Sequence, residues 1–470
     1  MNTASSYHTL KDDILSGTLS ASSLVDEYLK KIDASKDLNI FLEVFETSAR
    51  QQAEAVDKKI QSGNAGKLAG MIIALKDNIA YKGHRLSASS KMLENFTSLY
   101  SATVVERLLA EDAIIIGRVN CDEFAMGSSN ENSAFGAVKN PVDTTKVPGG
   151  SSGGSAAAVK AGLCMAALGS DTGGSIRQPA SFCGTVGYKP TYGRVSRYGL
   201  IAFASSFDQI GPLTNNIEDA ASVMQVISGS DEMDATSSRK PVPNFLDLNS
   251  TGKKFKIACI TQCLAHGIDP EIKKFTETKI EELKQQGHEV TMVDFDYLDY
   301  LIPTYYVIST AEASSNLSRY DGIHYGYRSK DAQGIEDTYL KSRSEGFGEE
   351  VKRRILLGTF VLSSGYYDAY FEKAQKTRRI IAEKTSELLS SYDFILTPTC
   401  PSTAFGIGEN TKDPIQMYLQ DIFTVQANLA GTPAISLPMG EHSNGLPFGI
   451  QLMANKFEDQ KLLQFAKQLF

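Results

Sequence analysis

The chain contains no run of 18 consecutive apolar residues, so no segment of it reads as a membrane span. Its amino terminus, Met1 to Asp13, lacks the basic and apolar blocks of a secretory signal. It also lacks a basic excess: 47 Lys and Arg stand against 55 Asp and Glu, a net charge of −8. A surface gripping a long stretch of RNA would carry a basic excess or stripe. Only short basic runs occur, at Lys253-Lys254 and Lys352-Arg353-Arg354, so any RNA contact is expected to be carried mostly by a partner. The cysteines, at 121, 164, 183, 259, 263 and 400, form no CxxC pair. Cys259 and Cys263, with only His266 nearby, make a poor zinc site beside the alternative of buried structural thiols. The histidines are at 8, 84, 266, 288, 324 and 442, and none sits in an acidic or turn-like setting that marks a general base. These absences point to a soluble, cytoplasmic protein of a reducing compartment with no metal of its own.

What is present is ample material for a core: 470 residues, 42% hydrophobic and 22% charged. Leu24, Tyr28, Leu29 and Ile32 recur at helical spacing, with Ser22-Ser23 available as caps. A second helix is expected over 47–62, ended by Gly63-Asn64. Continuous apolar runs at 70–75 and 113–116 flank an amphipathic stretch, 102–110, and read as buried strands. Further strands are expected at 254–260, 393–397, 434–437 and 448–452, and helices at 270–286 and from Phe457 onward. The polar, turn-rich 228–249 reads as a surface connection. Strands separated by helices imply an α/β fold with a mixed central sheet covered by helices on both faces. With no internal repeat and no clean linker, residues 1–470 are expected to form one domain.

Three segments carry candidate chemistry. The run Pro148-Gly-Gly-Ser-Ser-Gly-Gly-Ser155 could be a flexible linker. However, it abuts Ala156-Ala-Ala-Val-Lys-Ala161, a strong helix former, and therefore lies against an ordered element. A phosphate cradle would need Gly-Lys-Ser/Thr at its end, which is missing. The run also satisfies the Gly-x-Ser-x-Gly elbow, whose chemistry needs a histidine base that no setting here advertises. The second segment is Gly169-Ser-Asp-Thr-Gly-Gly-Ser-Ile-Arg177, entered by an apolar strand-like run, 163–168. Ser175 would stand before a helix over 176–182, either as a simple cap or as a nucleophile among free backbone N–H groups. The third is Lys76, which ends the apolar run 71–75. A lysine there either reaches water or, if desolvated, becomes a base with a lowered pKa.

Together these segments, with 75 residues from Lys76 to Ser151 and 24 more to Ser175, resemble the amidase signature family. The resemblance implies that Ser175 attacks an amide carbonyl, that Ser151 bridges, and that neutral Lys76 takes the proton. It further implies a cis bond before Ser151 and an oxyanion hole from the N–H groups of Thr172, Gly173, Gly174 and Ser175. Within the family, the passages Asp122-Glu-Phe-Ala-Met-Gly127, Lys189-Pro-Thr-Tyr-Gly-Arg194, Ala311-Glu-Ala-Ser-Ser-Asn316 and Ser363-Ser-Gly-Tyr-Tyr-Asp-Ala369 are similar to one branch. That branch comprises the A subunits of glutamyl-tRNA(Gln) amidotransferases. It implies that Arg354 binds the carboxylate of glutamine and Asp421 its ammonium, with Tyr305 and Ser128 lining the same pocket. On residue pattern alone, Arg354 and Asp421 would be helix-face charges. The branch also implies glutamine hydrolysis, no cofactor in this chain, and a heterotrimer with B and C subunits. In it the B subunit carries ATP, Mg²⁺ and the misacylated tRNA. A stand-alone amidase acting on another small amide is the alternative.

Overall fold

The apolar runs become the strands of one eleven-stranded sheet in the computed structural model, which describes residues 6–250, 252–265, 267–409 and 414–470, with 414–416 at the backbone only. The strands are β1 (Phe41–Val44), β2 (Ile72–Lys76), β3 (Ile114–Val119), β4 (Ala166–Asp171), β5 (Val186–Lys189), β6 (Gln209–Thr214), β7 (Lys256–Ile260), β8 (Glu289–Val293), β9 (Phe394–Pro398), β10 (Ala434–Glu441) and β11 (Pro447–Met453). Their spatial order is β1-β3-β2-β4-β6-β5-β10-β11-β9-β7-β8. β2 runs parallel to β3 and β4, and β7 parallel to β8 and β9, while the other pairings are antiparallel.

Neighbouring residues along a strand point to opposite faces, and here they enter different cores. Ile257, Cys259, Phe394, Leu396, Ile435 and Leu452 pack in one apolar cluster, whereas Ala258, Ile260, Ile395, Ala434 and Met453 pack in a second. Each face of the sheet is thus buried under helices, as the mixed α/β reading expects. The helices Glu46–Gln61 and Ile217–Ile227 lie against β3 and β6, and Leu298–Asn316 packs against both Glu349–Leu362 and Lys373–Ser391.

Several local expectations shift. The first long helix spans Ala21–Ala34, and its cap is Ser20, whose hydroxyl accepts from the Ser23 N–H; the Ser22 hydroxyl instead donates to Asp57. The strand entering the second motif starts at Ala166 and continues to Asp171, past the apolar run, because its polar end is buried too. The helix after Ser175 begins only at Arg177 and is seven residues long, so Ser175 caps nothing. The connection 228–249 is irregular, as expected, but is tied down by guanidinium groups. Arg107 donates to the carbonyls of Ile227, Gly229 and Ser230, and Arg194 to those of Lys240 and Pro241.

All six cysteines are free and buried, and burial pushes the Cys259 thiol up to about 12. His266 lies outside the described residues. Among the described residues no His/Cys/Asp/Glu group could hold a metal ion, and no helix is long and apolar enough to cross a membrane.

Candidate active site

β2 and β4 are adjacent and parallel, with Leu75 opposite Leu168, so their carboxyl ends open side by side. Parallel strands commonly place ligand chemistry at this end. Lys76, the last residue of β2, is fully buried there. Its Nζ donates to Ser151 Oγ at 2.7 Å, Ser152 Oγ at 2.9 Å and Ser170 Oγ at 3.0 Å. Asn78 Nδ2 also donates to Ser170 Oγ, at 2.9 Å. The Ser170 carbonyl accepts from Lys76 Nζ at 3.5 Å, and among the described residues no carboxylate bonds to the amine. Burial lowers the Lys76 pKa from the ordinary 10.5 to about 8, against the weaker opposite pull of Cys121, Asp122, Asp171 and Asp208.

The glycine-rich run is ordered. Its residues lead directly into the helix Gly153–Lys160, and the Gly150–Ser151 peptide bond is cis, as the resemblance implies. At Gly150 a side chain would collide with the Asp122 carboxylate and the N–H of Ser129, so only glycine permits this approach. Ser152 N donates to the carbonyl of Ser175 at 3.1 Å, which joins the first motif to the second. Ser152 Oγ in turn donates to the carbonyl of Ser170 at 3.1 Å.

In the second motif the N–H groups of Thr172, Gly173, Gly174 and Ser175 donate to no other described residue, whereas the carbonyls of Gly173, Gly174 and Ser175 are all held. Four free donors in succession form an anion-receptive concavity. Gly174 has φ +148°, and a side chain there would run into the Thr424 hydroxyl and Asp421. The turn is braced from behind by Arg177, which bonds Asp171 through Nε at 3.1 Å and Nη2 at 3.0 Å. Although Asp171 is buried, that guanidinium takes its carboxyl down to about 2. The Ser175 hydroxyl makes no hydrogen bond to another described residue, so no bond joins it to Ser151 in this state.

The remaining expected residues converge beside this turn. Asp421 is buried, accepts from Ser128 Oγ at 2.8 Å, and has its pKa raised to about 7 by burial, in spite of the Ser128 bond and the nearby Arg354 charge. Arg354 is not a surface charge: it is 3% exposed, donates through Nε to Glu350 at 2.8 Å, and its guanidinium lies 5.3–5.6 Å from the ring centroids of Phe203, Tyr306 and Tyr418. Tyr305 is buried, with its ring packed against Gly173 and edge-on to Phe207. No described histidine hydrogen-bonds to Lys76, Ser151, Ser152 or Ser175. Residues that sequence reasoning misses are Ser152, Ser170 and Asn78 around the lysine, Glu350 beside Arg354, and Thr424 at the turn. Glu350 is findable as the residue one helical turn before Arg354, and Ser152 and Ser170 lie inside the motifs themselves.

The amidase family model matches residues 23–463. The chain is 52% identical to the A subunit of the glutamyl-tRNA(Gln) amidotransferase of Chlorobium phaeobacteroides (strain DSM 266) over 465 residues, 98% of each chain. It is 53% identical to the A subunit of the same enzyme from Chlorobium luteolum over 470 residues, 99% of this chain and 96% of that one. Among solved structures, the glutamyl-tRNA(Gln) amidotransferase A subunit of Thermotoga maritima superposes with a TM-score of 0.78 at 45% identity, covering 94% of this chain and 90% of that one. The peptide amidase of Stenotrophomonas maltophilia superposes at 0.83 with 27% identity, over 99% and 96%. With most of its length under one family model and such relatives end to end, the chain belongs to the amidase family, the amidase signature enzymes.

Proposed function

We propose that this chain is the glutamine-hydrolysing A subunit of a glutamyl-tRNA(Gln) amidotransferase, acting through Lys76, Ser151 and Ser175. The observation that carries the chemistry is a buried Lys76 amine, its pKa lowered by burial to about 8, hydrogen-bonded to three hydroxyls at 2.7–3.0 Å and, at 3.5 Å, to the Ser170 carbonyl, with no described carboxylate among its partners. Relatives of that name, 52% and 53% identical along nearly all of both chains, carry the biological assignment over a stand-alone amidase.

Glutamine binds with its ammonium on Asp421 and its carboxylate on the free nitrogens of Arg354, while Glu350 fixes the guanidinium from the other side. Ser128 orients the Asp421 carboxylate, and Tyr305 walls the pocket beside Gly173. Ser175 Oγ attacks the side-chain amide carbon; its proton passes to Ser151 Oγ, whose own proton passes to Lys76 Nζ. The contact between the two serine hydroxyls closes only with substrate present, as catalytic hydrogen bonds commonly do. The oxygen of the tetrahedral intermediate takes the N–H groups of Thr172, Gly173, Gly174 and Ser175, each worth about 3 kcal/mol. Protonated Lys76 returns the proton through Ser151 to the amide nitrogen, the C–N bond breaks, ammonia leaves and a γ-glutamyl ester remains on Ser175. Water deprotonated along the same route cleaves the ester and releases glutamate.

In this reading the whole of 1–470 works as one amidase domain, with its catalytic core at about 70–215. The chain itself needs no cofactor. The ammonia passes to a B subunit that uses ATP and Mg²⁺ to amidate glutamate misacylated on tRNA(Gln), a C subunit completes a cytoplasmic heterotrimer, and the acidic net charge of −8 fits a chain that leaves the tRNA to its partner. The test is Ser175→Ala in the assembled complex, with glutamate release from glutamine measured directly. Loss of at least roughly 1,000-fold in turnover is expected, and turnover near wild type removes the proposal.

A further inference from the structure

The oxyanion turn is gripped from outside both signature motifs, by the segment that also supplies Asp421. Thr424 Oγ1 donates to the carbonyl of Gly173 at 2.6 Å. The same hydroxyl has an alternative acceptor in its own turn, the Asp421 carbonyl at 3.0 Å, and the shorter bond is the one that crosses to the catalytic turn. Thr424 is fully buried, and its carbonyl accepts from Arg177 Nη1 at 2.8 Å. One helical turn further on, Asn428 donates to Asp171 at 2.9 Å and accepts from Arg177 Nη2 at 2.7 Å.

A trans peptide is planar, with its C=O and N–H pointing in opposite directions. A hydroxyl that fixes the Gly173 carbonyl therefore fixes the direction of the Gly174 N–H. No other described group holds that carbonyl, and neither glycine has a side chain to limit its rotation. The alternative for Thr424 is a hydroxyl that merely satisfies itself within its own helix turn, a common arrangement for threonine. Against it stand the shorter cross-turn distance and the collision any side chain at Gly174 would have with this hydroxyl.

We propose that Thr424 is a positioning residue for the oxyanion hole: its hydroxyl, three residues after the ammonium-binding Asp421, sets the Gly173–Gly174 peptide so that the Gly174 N–H meets the developing oxyanion. The inference rests on the Ser175 chemistry proposed above. Because Thr424 touches the turn and not the substrate, its loss alters the rate and leaves glutamine affinity alone.

The experiment uses the assembled amidotransferase, with glutamate release followed over a range of glutamine concentrations. Thr424→Val keeps the shape and removes the hydroxyl; kcat is expected to fall roughly 10- to 100-fold with KM within about two-fold. Thr424→Ser, which restores the hydroxyl, is expected to recover most of kcat. If the valine variant does not assemble, Thr424→Ala, which adds no misfitted methyl, is measured in its place with the same expectation. A wild-type kcat in the valine or alanine variant, an effect confined to KM, or an equal loss in the serine variant overturns the proposal. Ser175→Ala run alongside separates the two claims: an inactive Ser175→Ala with a fully active Thr424→Val sinks only this inference, whereas an active Ser175→Ala sinks the chemistry beneath it.

Discussion

The acid limb of the pH–rate profile should carry two protons, and one of them should vanish with Asp421→Asn. Burial sets Asp421 at about 7 and Lys76 at about 8 in the free chain, and in the proposed chemistry both must lose their proton: the carboxyl to meet an ammonium, the amine to act as base. At pH 8 nearly half the molecules hold both groups deprotonated, but at pH 6 only about one in a thousand does, so kcat/KM should fall roughly 500-fold over those two units. Below pH 7 the logarithmic slope approaches two. With Asn at 421 the Ser128 bond survives, the ammonium contact is weakened, and one titrating group is gone. The level should drop, mainly through KM, and the slope should approach one. The assay is glutamate release by the assembled complex at glutamine well below KM, from pH 6 to 8.5, below the range where glutamine's own amine titrates. Equal slopes for wild type and Asp421→Asn would refute the role of Asp421, and a rate that rises toward acid would refute an amine base at 76.

Two further outcomes follow from the same geometry. Arg354→Lys keeps the charge but loses the fork that serves Glu350 and a carboxylate together, so KM for glutamine should rise on the order of 10- to 100-fold with the pH profile unshifted; a shifted profile with unchanged KM would contradict the assignment. Lys76→Met should abolish turnover while leaving the melting temperature at pH 7 equal to or above wild type. The folded-state pKa of Lys76 lies below the ordinary 10.5, so the unfolded chain binds the extra proton between about 8 and 10.5 and stability rises with pH through that window. Below it the buried charge costs up to about 3 kcal/mol, which methionine removes; scanning calorimetry at pH 7 and 9.5 should show the advantage of the variant shrinking toward alkali.

Local pattern marked Lys76, Ser151 and Ser175 as candidates, at the end of an apolar run, in a glycine run against a helix former, and before a short helix, but it left each with an alternative, and the proposed relay came from the resemblance. Pattern could not rank Ser151 against Ser152, since the β2–β4 register and the helix Gly153–Lys160 bring both hydroxyls to the same amine. Ser170 was hidden for the same reason, because its meeting with Lys76 depends on two strands far apart in the chain lying side by side. Arg354 shows the opposite failure. Its own helix offers only Glu350, and its burial comes from Phe203, Tyr306 and Tyr418, none of which helical periodicity around 354 could indicate. β2, β3, β4, β7, β9, β10 and β11 were legible from their apolar runs; the edge strands β1 and β8, interrupted by polar residues, and β5 and β6, with glycine, proline and polar residues buried in the sheet, contain no such run.

Two buried cations lie close to the Thr172–Ser175 turn and are treated in opposite ways, and under the proposed chemistry that difference makes one structural and the other reactive. Arg177 is paired with Asp171, an arrangement that locks both charges and takes the carboxyl to about 2. Lys76 is surrounded by hydroxyls, which accept from an ammonium and can donate to an amine, so they serve either protonation state without fixing one. Replacing one of them should therefore move the base in a direction set by the charge of the replacement. Ser170→Ala removes an acceptor that favours the ammonium, so the upper step of the pH–rate profile should move below its wild-type position near 8. Ser170→Asp places a carboxylate within bonding distance of Nζ, which should raise the Lys76 pKa by about 1–3 units and reduce the neutral amine at pH 7 by roughly 10- to 1,000-fold. Its activity at pH 7 should fall accordingly and recover in part toward pH 9, with the complex intact by gel filtration. If Ser170→Asp and Ser170→Ala shift that step the same way, the amine at 76 is not the group that titrates in catalysis.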